Sequence, residues 1–376
     1  MTEDRRPVIL SGNSSWNIVN FRVGLIRALE AAGLEPVVVA PIDQPAEDRM
    51  AALGVRRFVV TVDRSGLNPL RDLGLLGRYA RILGEVRPAA YLGFTAKPNI
   101  YGSFAARLCG VPAIPNISGL GTAFIRGGPL AWVLSALYRV ALAGAPVVFF
   151  QNAEDRALFV SRKLVRVDRA RVLPGSGIDL DRFAPEPLPP GPVRFMLVGR
   201  LLGDKGVREF VEAARILQAE GADARFTLLG PLDPSNRTGI SRGELDDWIG
   251  NGNIDYLGET DDVRPAIAAS HAIVLPSYRE GLPRTLLEGA AMERVLVASD
   301  VPGCRDVVDD GINGFLCADR DPVSLAEAMR KVLRLSADER AALGAAGRRR
   351  VQAKFNERLV IQAYLDALGH VVRPRS

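Results

Sequence analysis

Short apolar runs alternate with stretches of helical periodicity along nearly the whole chain. In the first half, Val8–Leu10, Pro36–Ala40, Arg57–Thr61, Ala89–Gly93, Ala113–Ile117 and Val147–Gln151 have the length and apolar continuity of buried strands. Between them, Phe21–Ala32 places Phe21, Leu25 and Leu29 on one helical face and is stopped by Gly33, and Asn99–Cys109 is stopped by Gly110. A second alternation opens with the strand Val193–Val198 and the helix Val207–Ala219. It continues through the strands Phe226–Leu229, Ile254–Leu257, Ala272–Leu275, Val295–Ala298 and Gly314–Cys317. This pattern predicts an α/β protein with two Rossmann-like doubly wound domains, each a parallel sheet covered on both faces. Between them, residues 184–192 place five prolines in nine positions, a stiff extended linker. The expected domains are 1–184 and 193–355 joined by 185–192, facing a cleft at the carboxyl ends of both sheets.

Composition narrows this picture. The longest apolar stretch, Pro129 to Phe150, carries Arg139 near its middle and is broken by Ala143-Gly144-Ala145-Pro146, so it predicts a helix (130–142) and a buried strand (147–151), not a membrane span. Three cysteines exclude a disulfide scaffold, and His271 and His370 are too far apart, and too far from any cysteine, for a zinc site. Catalysis therefore rests on carboxylates, Arg/Lys and backbone amides. The polar start Met1–Pro7 runs directly into a strand, so no export signal is expected and the protein is placed in the cytoplasm. Net charge is +5 and uneven: residues 1–180 hold 22 Lys+Arg against 14 Asp+Glu, the remainder 26 against 29. A basic first half suits an anionic partner such as phosphate or a lipid surface, with solvated arginines as the alternative.

Two segments carry candidate chemistry. In Leu275–Met292 a strand ends, a loop carries Glu280-Gly281-Leu282, and Pro283 suits the first turn of a helix whose initial amides can meet an anionic group. Glu288 lies one and a half turns further on, and a carboxylate accepts hydrogen bonds from hydroxyls. Glutamates on either side of a phosphate-binding helix start suit a nucleotide sugar, whereas a capping Glu280 and a solvated Glu288 are the plain alternative. In Val198–Gly206, Gly199 turns the backbone, and Arg200 and Lys205 can neutralise a departing diphosphate.

Together, Gly199-Arg200-Leu201 with Lys205-Gly206, and Pro276-Ser277 with Glu280-Gly281-Leu282-Pro283 and Leu286-Leu287-Glu288, resemble a family 4 glycosyltransferase of the two-Rossmann-domain (GT-B) type. The likeness extends to Ala298–Val308, Asp310–Leu316 and Pro174–Phe183, and so covers essentially the whole chain. It implies retaining, metal-independent transfer of a hexosyl or N-acetylhexosaminyl group from a nucleotide sugar, with a UDP-sugar as donor. By this resemblance Glu280 touches the donor sugar, Glu288 the ribose, and Arg200 and Lys205 the diphosphate. Gly12, Gly199, Gly281, Leu282 and Pro283 complete the donor contacts, and backbone near Gly230 and Leu257 holds the base. A C-terminal helix, 356–376, is expected to return to the first domain.

In the first half, Thr95–Gly102 and Ser118–Thr122 resemble the branch that extends lipid-linked oligosaccharides and capsule or O-antigen precursors. That implies a lipid-diphosphate-linked glycan as acceptor, met by Asn17, Arg22, Lys97, Asn99, Ser118, Gly119 and Gly121, with peripheral contact at the inner face of the cytoplasmic membrane. The apolar helix around Trp132 and Leu137, with Arg126 before it and Arg139 within it, has a composition suited to a headgroup boundary. Ser118-Gly119 stands where many members carry a histidine beside the glycine, and Ser11-Gly12-Asn13 replaces their Gly-Gly loop. Asp179-Leu180-Asp181 has a metal-binding pattern but lies at the linker approach, where capping is the expected role. No nucleic-acid partner is expected. The competing readings are a soluble transferase or epimerase acting on a small molecule, and a non-catalytic sugar-nucleotide-binding module.

Overall fold

The computed structural model of the chain describes residues 5–63, 69–119 and 128–372. They form two compact units. One runs to Ser176 and resumes at Glu357; the other is Gly177–Asn356.

The sheet of the first unit contains, among the described residues, β1 (Arg6–Ser11), β2 (Leu34–Ala40), β3 (Arg56–Val59), β4 (Ala90–Gly93), β5 (Ala113–Ile117), β6 (Val148–Phe150) and β7 (Ala170–Val172). Their order is β3-β2-β1-β4-β5-β6-β7, and every pairing is parallel. Both faces are covered, which is why the central strands read as unbroken apolar runs. Val8, Leu10, Val38 and Leu92 pack with Leu25 and Leu29 on one side, while Ile9, Val37, Val39 and Tyr91 pack with Leu75, Tyr79 and Leu83 on the other. The helix Glu357–Val371 belongs to this unit. Its Tyr364 is fully buried, edge-on to Phe149 and Phe94 with ring centroids 5.0 and 5.9 Å away, and its hydroxyl accepts from Asn116 Nδ2 at 2.8 Å.

The second sheet contains β8 (Val193–Val198), β9 (Ala224–Leu229), β10 (Asp255–Tyr256), β11 (Ala272–Leu275), β12 (Val295–Ser299) and β13 (Gly314–Cys317) in the order β10-β9-β8-β11-β12-β13, again all parallel. The helix Val207–Ala219 follows β8 and buries Val207, Phe210, Val211, Ala214 and Leu217, the face its periodicity predicts. In each sheet the strand order reverses beside the first strand, between β1 and β4 and between β8 and β11. Such a switch point is where doubly wound sheets bind ligands, beyond the carboxyl ends of the strands. The expected pair of Rossmann-like sheets is therefore present.

Three local features differ from expectation. The helix expected over Phe21–Ala32 is Val23–Ala31, and Phe21 instead ends a preceding helix, Ser15–Phe21, because Arg22 leaves helical geometry at the junction (φ −130°) and lays its buried guanidinium over the Phe94 ring at 4.1 Å. Asn99–Cys109 opens with one wide turn, Pro98–Gly102, before the regular helix Ser103–Leu108. The proline-rich segment 185–192 lies inside the second unit, since the chain passes between units at Ser176–Gly177 and Asn356–Glu357. Fully buried Arg294 holds it there, donating from Nη2 to the carbonyls of Glu186 and Pro187 at 2.8 and 3.2 Å. Among the described residues, no helix is long and apolar enough to cross a membrane.

The Asn116–Tyr364 bond ties the last helix to β5. Tyr364→Phe leaves a buried amide donor without its partner and should cost about 1–3 kcal/mol of unfolding free energy in urea melts. A loss within error of zero would show that aromatic packing alone fixes the helix.

Candidate active site

The second unit gathers its candidate residues at the carboxyl edge of adjacent strands. Gly199 and Arg200 follow β8, Gly230 follows β9, Leu257 follows β10, and the loop bearing Glu280 follows β11. Gly206 has φ +73°, and a Cβ there would collide with the Pro276 carbonyl, so the turn after β8 and the loop after β11 lie backbone against backbone. Gly230, at φ +143°, meets the Gly199 carbonyl in the same way. Tyr278 N–H donates to the Asp204 carbonyl at 3.0 Å, and its hydroxyl lies 2.6 Å from Glu209 Oε1 as donor.

This stitching brings Lys205 Nζ to 2.5 Å from Glu280 Oε1, with the two side chains 29% and 12% exposed. Two residues 75 positions apart, both expected at a donor site, are thus in direct contact. Arg200, 58% exposed, donates to Asp233 Oδ2 at 3.1 Å. Pro283 stands at the N-cap of the helix Arg284–Ala291, one position before the expected first turn, and no side chain caps that helix start. A helix start whose N-cap residue brings no side-chain acceptor is a place where backbone amides can meet an anion. Glu288 is buried and accepts from Arg284 Nε at 2.8 Å. Burial pushes its carboxyl above the ordinary glutamate value, against the pull of the Arg284 guanidinium. At the expected base site, Gly230 N–H donates to the Gly258 carbonyl and Gly230 C=O accepts from the Tyr256 hydroxyl, while Leu257 exposes its side chain. Asp179 Oδ1 accepts from the amides of Asp181 and Arg182, so it serves a turn.

In the first unit, Gly12, Ser118 and Gly119 also sit at strand ends, and Asn99 lies in the turn Pro98–Gly102 that follows β4. Gly12 follows β1, beside Asn17. Asn99 is buried and donates to the Asn116 carbonyl at 2.7 Å, and Ser118 donates to the Phe94 carbonyl at 3.0 Å. The oxygens Asn17 Oδ1, Thr95 Oγ1 and Asn99 Oδ1 are buried with no partner among the described residues. Lys97, expected to face an acceptor, is instead held inside the unit. Its Nζ donates to Asp72 Oδ1 at 2.6 Å, Tyr101 donates to Asp72 Oδ2 at 3.0 Å, and the two charged side chains are 12% and 5% exposed. Asp72 was missed, yet it lies on the same helical face as Leu75, Tyr79 and Ile82, and a carboxylate in an apolar stripe is a detectable signal of a buried partner. Gly121 and Arg126 lie outside the described residues.

Residues 20–175 match the family model of the glycosyl transferase 4-like domain, and residues 192–335 match that of glycosyl transferases group 1. Among curated proteins, the chain is 27% identical over 377 residues to the N,N'-diacetylbacillosaminyl-diphospho-undecaprenol alpha-1,3-N-acetylgalactosaminyltransferase of Campylobacter jejuni, covering 95% of this chain and 96% of the relative. It is 27% identical over 165 residues to the capsular polysaccharide biosynthesis glycosyltransferase CapM of Staphylococcus aureus, covering 43% of this chain and 42% of that protein. Among solved structures, a glycosyltransferase of Rickettsia africae superposes with a TM-score of 0.78 at 16% identity, covering 99% of this chain and all of the other. Anabaena Alr3699/HepE in complex with UDP superposes with a TM-score of 0.76 at 16% identity, covering 97% and 100%. At such identities the structures establish a shared fold.

The Lys205–Glu280 contact makes a stability prediction. Lys205→Met strands a largely buried carboxylate and should lower the unfolding free energy by about 1–3 kcal/mol. Adding Glu280→Gln should restore most of it, giving a non-additive double-mutant cycle in urea denaturation. Strict additivity would mean the two side chains do not interact in solution.

Proposed function

We propose that this chain, which belongs to the glycosyltransferases with a glycosyl transferase 4-like first half and a group 1 second half, moves a sugar from a UDP-sugar to a lipid-diphosphate-linked glycan during surface polysaccharide or glycoconjugate biosynthesis. The observation that carries the reading is the Lys205–Glu280 pair beside the proline-led start of the helix Arg284–Ala291, at the switch point between β8 and β11. A cation, a carboxylate and a helix start side by side match diphosphate and sugar hydroxyls. The Campylobacter relative, alike over its whole length, is named for a diphospho-undecaprenol acceptor, and the Alr3699/HepE structure contains UDP. Both support the choice of substrates.

On binding the donor, Lys205 and Arg200 exchange their carboxylate partners, Glu280 and Asp233, for the diphosphate. Glu280 then accepts from hydroxyls of the donor sugar, and Glu288, oriented by Arg284, accepts from the ribose. The acceptor hydroxyl oxygen bonds to the anomeric carbon on the face that the diphosphate leaves, as the carbon–phosphate-oxygen bond breaks. Its proton passes to the departing phosphate oxygen, so configuration is retained without a protein nucleophile. Charge on the leaving group is met by Arg200, Lys205 and helix amides, so turnover proceeds without a metal ion. Asn17, Arg22, Asn99, Ser118 and Gly119 of the first unit serve the acceptor, at the cytoplasmic face of the membrane.

The test is a panel of UDP-sugars with a lipid-diphosphate glycan, following UDP release and the anomeric configuration of the product by NMR. One UDP-sugar should be consumed with retention, and a chelator should leave the rate unchanged. Inversion, or a strict divalent-metal requirement, would sink the mechanism.

Glu288 makes a pH prediction. Its folded-state pKa is raised above the ordinary 4.5 by burial, so as pH falls from neutral it takes up a proton earlier than an exposed glutamate does. UDP affinity should therefore fall, relative to Glu288→Gln, at pH values above 4.5. At neutral pH the variant should bind UDP more weakly by about 1.5–3 kcal/mol, the worth of a charged hydrogen bond. Calorimetry that finds the same pH profile in both proteins would remove Glu288 from the ribose.

A further inference from the structure

The loop that carries Glu280 is clamped at two points by backbone. Pro276 presses its carbonyl on Gly206, where no Cβ fits, and the carbonyls of Glu280 and Gly281 press in the same way on Gly303, at φ +81°. Three residues, Ser277 to Arg279, span the distance between those clamps. Tyr278 stands in the middle of the span and is held from several sides. Its N–H donates to the carbonyl of Asp204, the residue before Lys205, at 3.0 Å. Its hydroxyl donates at 2.6 Å to Oε1 of Glu209, in the first turn of the helix Val207–Ala219. Arg320, beyond β13, lays its guanidinium over the ring with Cζ 4.6 Å from the centroid. Burial and the neighbouring Glu209 carboxylate push the phenol up to about 12, so it keeps its proton and remains a donor. Glu209 Oε2 is buried without a partner among the described residues, so this carboxylate relies on the Tyr278 hydroxyl. Ser277 Oγ is buried without a partner as well, so that hydroxyl does not tie the span to anything among the described residues.

We infer that Tyr278 is a positioning residue of the candidate donor site: through its hydroxyl it sets where Glu280 stands against Lys205. The inference rests on the nucleotide-sugar reading of the preceding subsection. Lys205 is placed without the phenol, since its own N–H donates to the Leu202 carbonyl at 3.0 Å and Gly206 N–H donates to the Gly203 carbonyl at 2.8 Å. Glu280 is placed through the span. The Tyr278–Glu209 bond joins that span to the helix that follows Lys205, so one side chain couples the element bearing the cation to the element bearing the carboxylate. Breaking it leaves the Tyr278 N–H tie and both clamps intact, so what changes is the position of Glu280 and not the fold. A displacement of about 1 Å is enough to slow a reaction roughly a hundredfold. On the same reading, Glu280 meets the donor sugar, whereas free nucleotide meets Arg200, Lys205 and Glu288. Loss of the hydroxyl therefore separates the two ligands.

Tyr278→Phe removes the hydroxyl and keeps a ring beneath Arg320. With the UDP-sugar that the donor panel selects, this variant should lower kcat about tenfold while the dissociation constant of UDP changes less than about twofold. Glu209→Leu takes away the acceptor and should reproduce that loss. Glu209→Gln still offers the phenol an amide oxygen and should keep about half of the wild-type kcat or more. Tyr278→Phe combined with Glu209→Leu should be no worse than either change alone. Unchanged kcat in Tyr278→Phe would overturn the inference. So would a fall in UDP affinity parallel to that in kcat, which marks a site that is merely loosened, and so would equal kcat in the two Glu209 variants. If Tyr278→Phe does not fold, the comparison of those two Glu209 variants decides. A readout free of turnover is the Lys205→Met/Glu280→Gln cycle in urea, whose coupling should drop by about half or more in the Tyr278→Phe background. If the wild-type chain consumes no UDP-sugar, the nucleotide-sugar reading fails and the urea cycle decides on Tyr278, with unchanged coupling as the result that overturns it.

Discussion

No side chain fits at Gly206, because the Pro276 carbonyl occupies the space a Cβ would take. That exclusion determines where the second unit can place its chemistry. The turn after β8 and the loop after β11 belong to strands that are neighbours only because the sheet order reverses there. Left to itself, a reversal opens a crevice between the two connections. Here the crevice is pinned by backbone contact at Gly206 and by the Tyr278–Asp204 hydrogen bond, and across the pinned gap Lys205 reaches Glu280. The helix Arg284–Ala291 then starts from a fixed position, with Thr285 Oγ1 donating to the Val198 carbonyl at 3.2 Å. Rigid placement of this kind is what lets a few charges act on a ligand without reorganising.

Three cations at the strand ends rest on carboxylates, and burial grades them. Lys97 and Asp72 are 12% and 5% exposed, Lys205 and Glu280 are 29% and 12%, and Arg200 and Asp233 are 58% and 23%. Attraction between paired charges grows as water is excluded, and so does the penalty for separating them. The outermost pair therefore exchanges partners at little cost, the middle pair at a moderate one, and the innermost pair hardly at all. On this ordering Arg200 and Lys205 are available to a phosphate group, whereas Lys97 serves to neutralise Asp72. The same residue types at similar turns have different duties because their surroundings differ, not because their sequences do.

That difference marks how far the amino-acid sequence could be read. Among the described strands twelve were legible, most of them as apolar runs. The exception, β7, is three residues with Arg171 and Val172 exposed, too polar to register. The helix break at Arg22 was hidden because its cause, the Phe94 ring, lies far away in the chain. Glu280, Lys205, Arg200 and Glu288 were legible as types at fixed spacings; Asp233, 33 positions from Arg200, carries no local mark of its role, whereas Arg284, four positions before Glu288 on one helix, does. The proline-rich segment misled for a similar reason. Proline content shows that a stretch is extended, and it says nothing of Arg294, which fastens the stretch to the second unit.

The Lys205–Glu280 contact also bears on how such a site treats donor and product. On the proposed reading, when Lys205 turns to a diphosphate, Glu280 loses its counter-charge in a position only 12% exposed. Water reaches that carboxylate poorly, so the exchange costs free energy unless something else donates to it. Sugar hydroxyls can do so; free nucleotide cannot. An intact nucleotide sugar therefore satisfies both halves of the broken pair, whereas the nucleotide left after transfer satisfies one. On the proposed reading, the ion pair reforms as product departs, and its reformation favours release. The pair is then more than a resting arrangement of two ligand-binding residues. On that reading it makes recognition of the diphosphate conditional on recognition of the sugar, a coupling that neither side chain supplies alone.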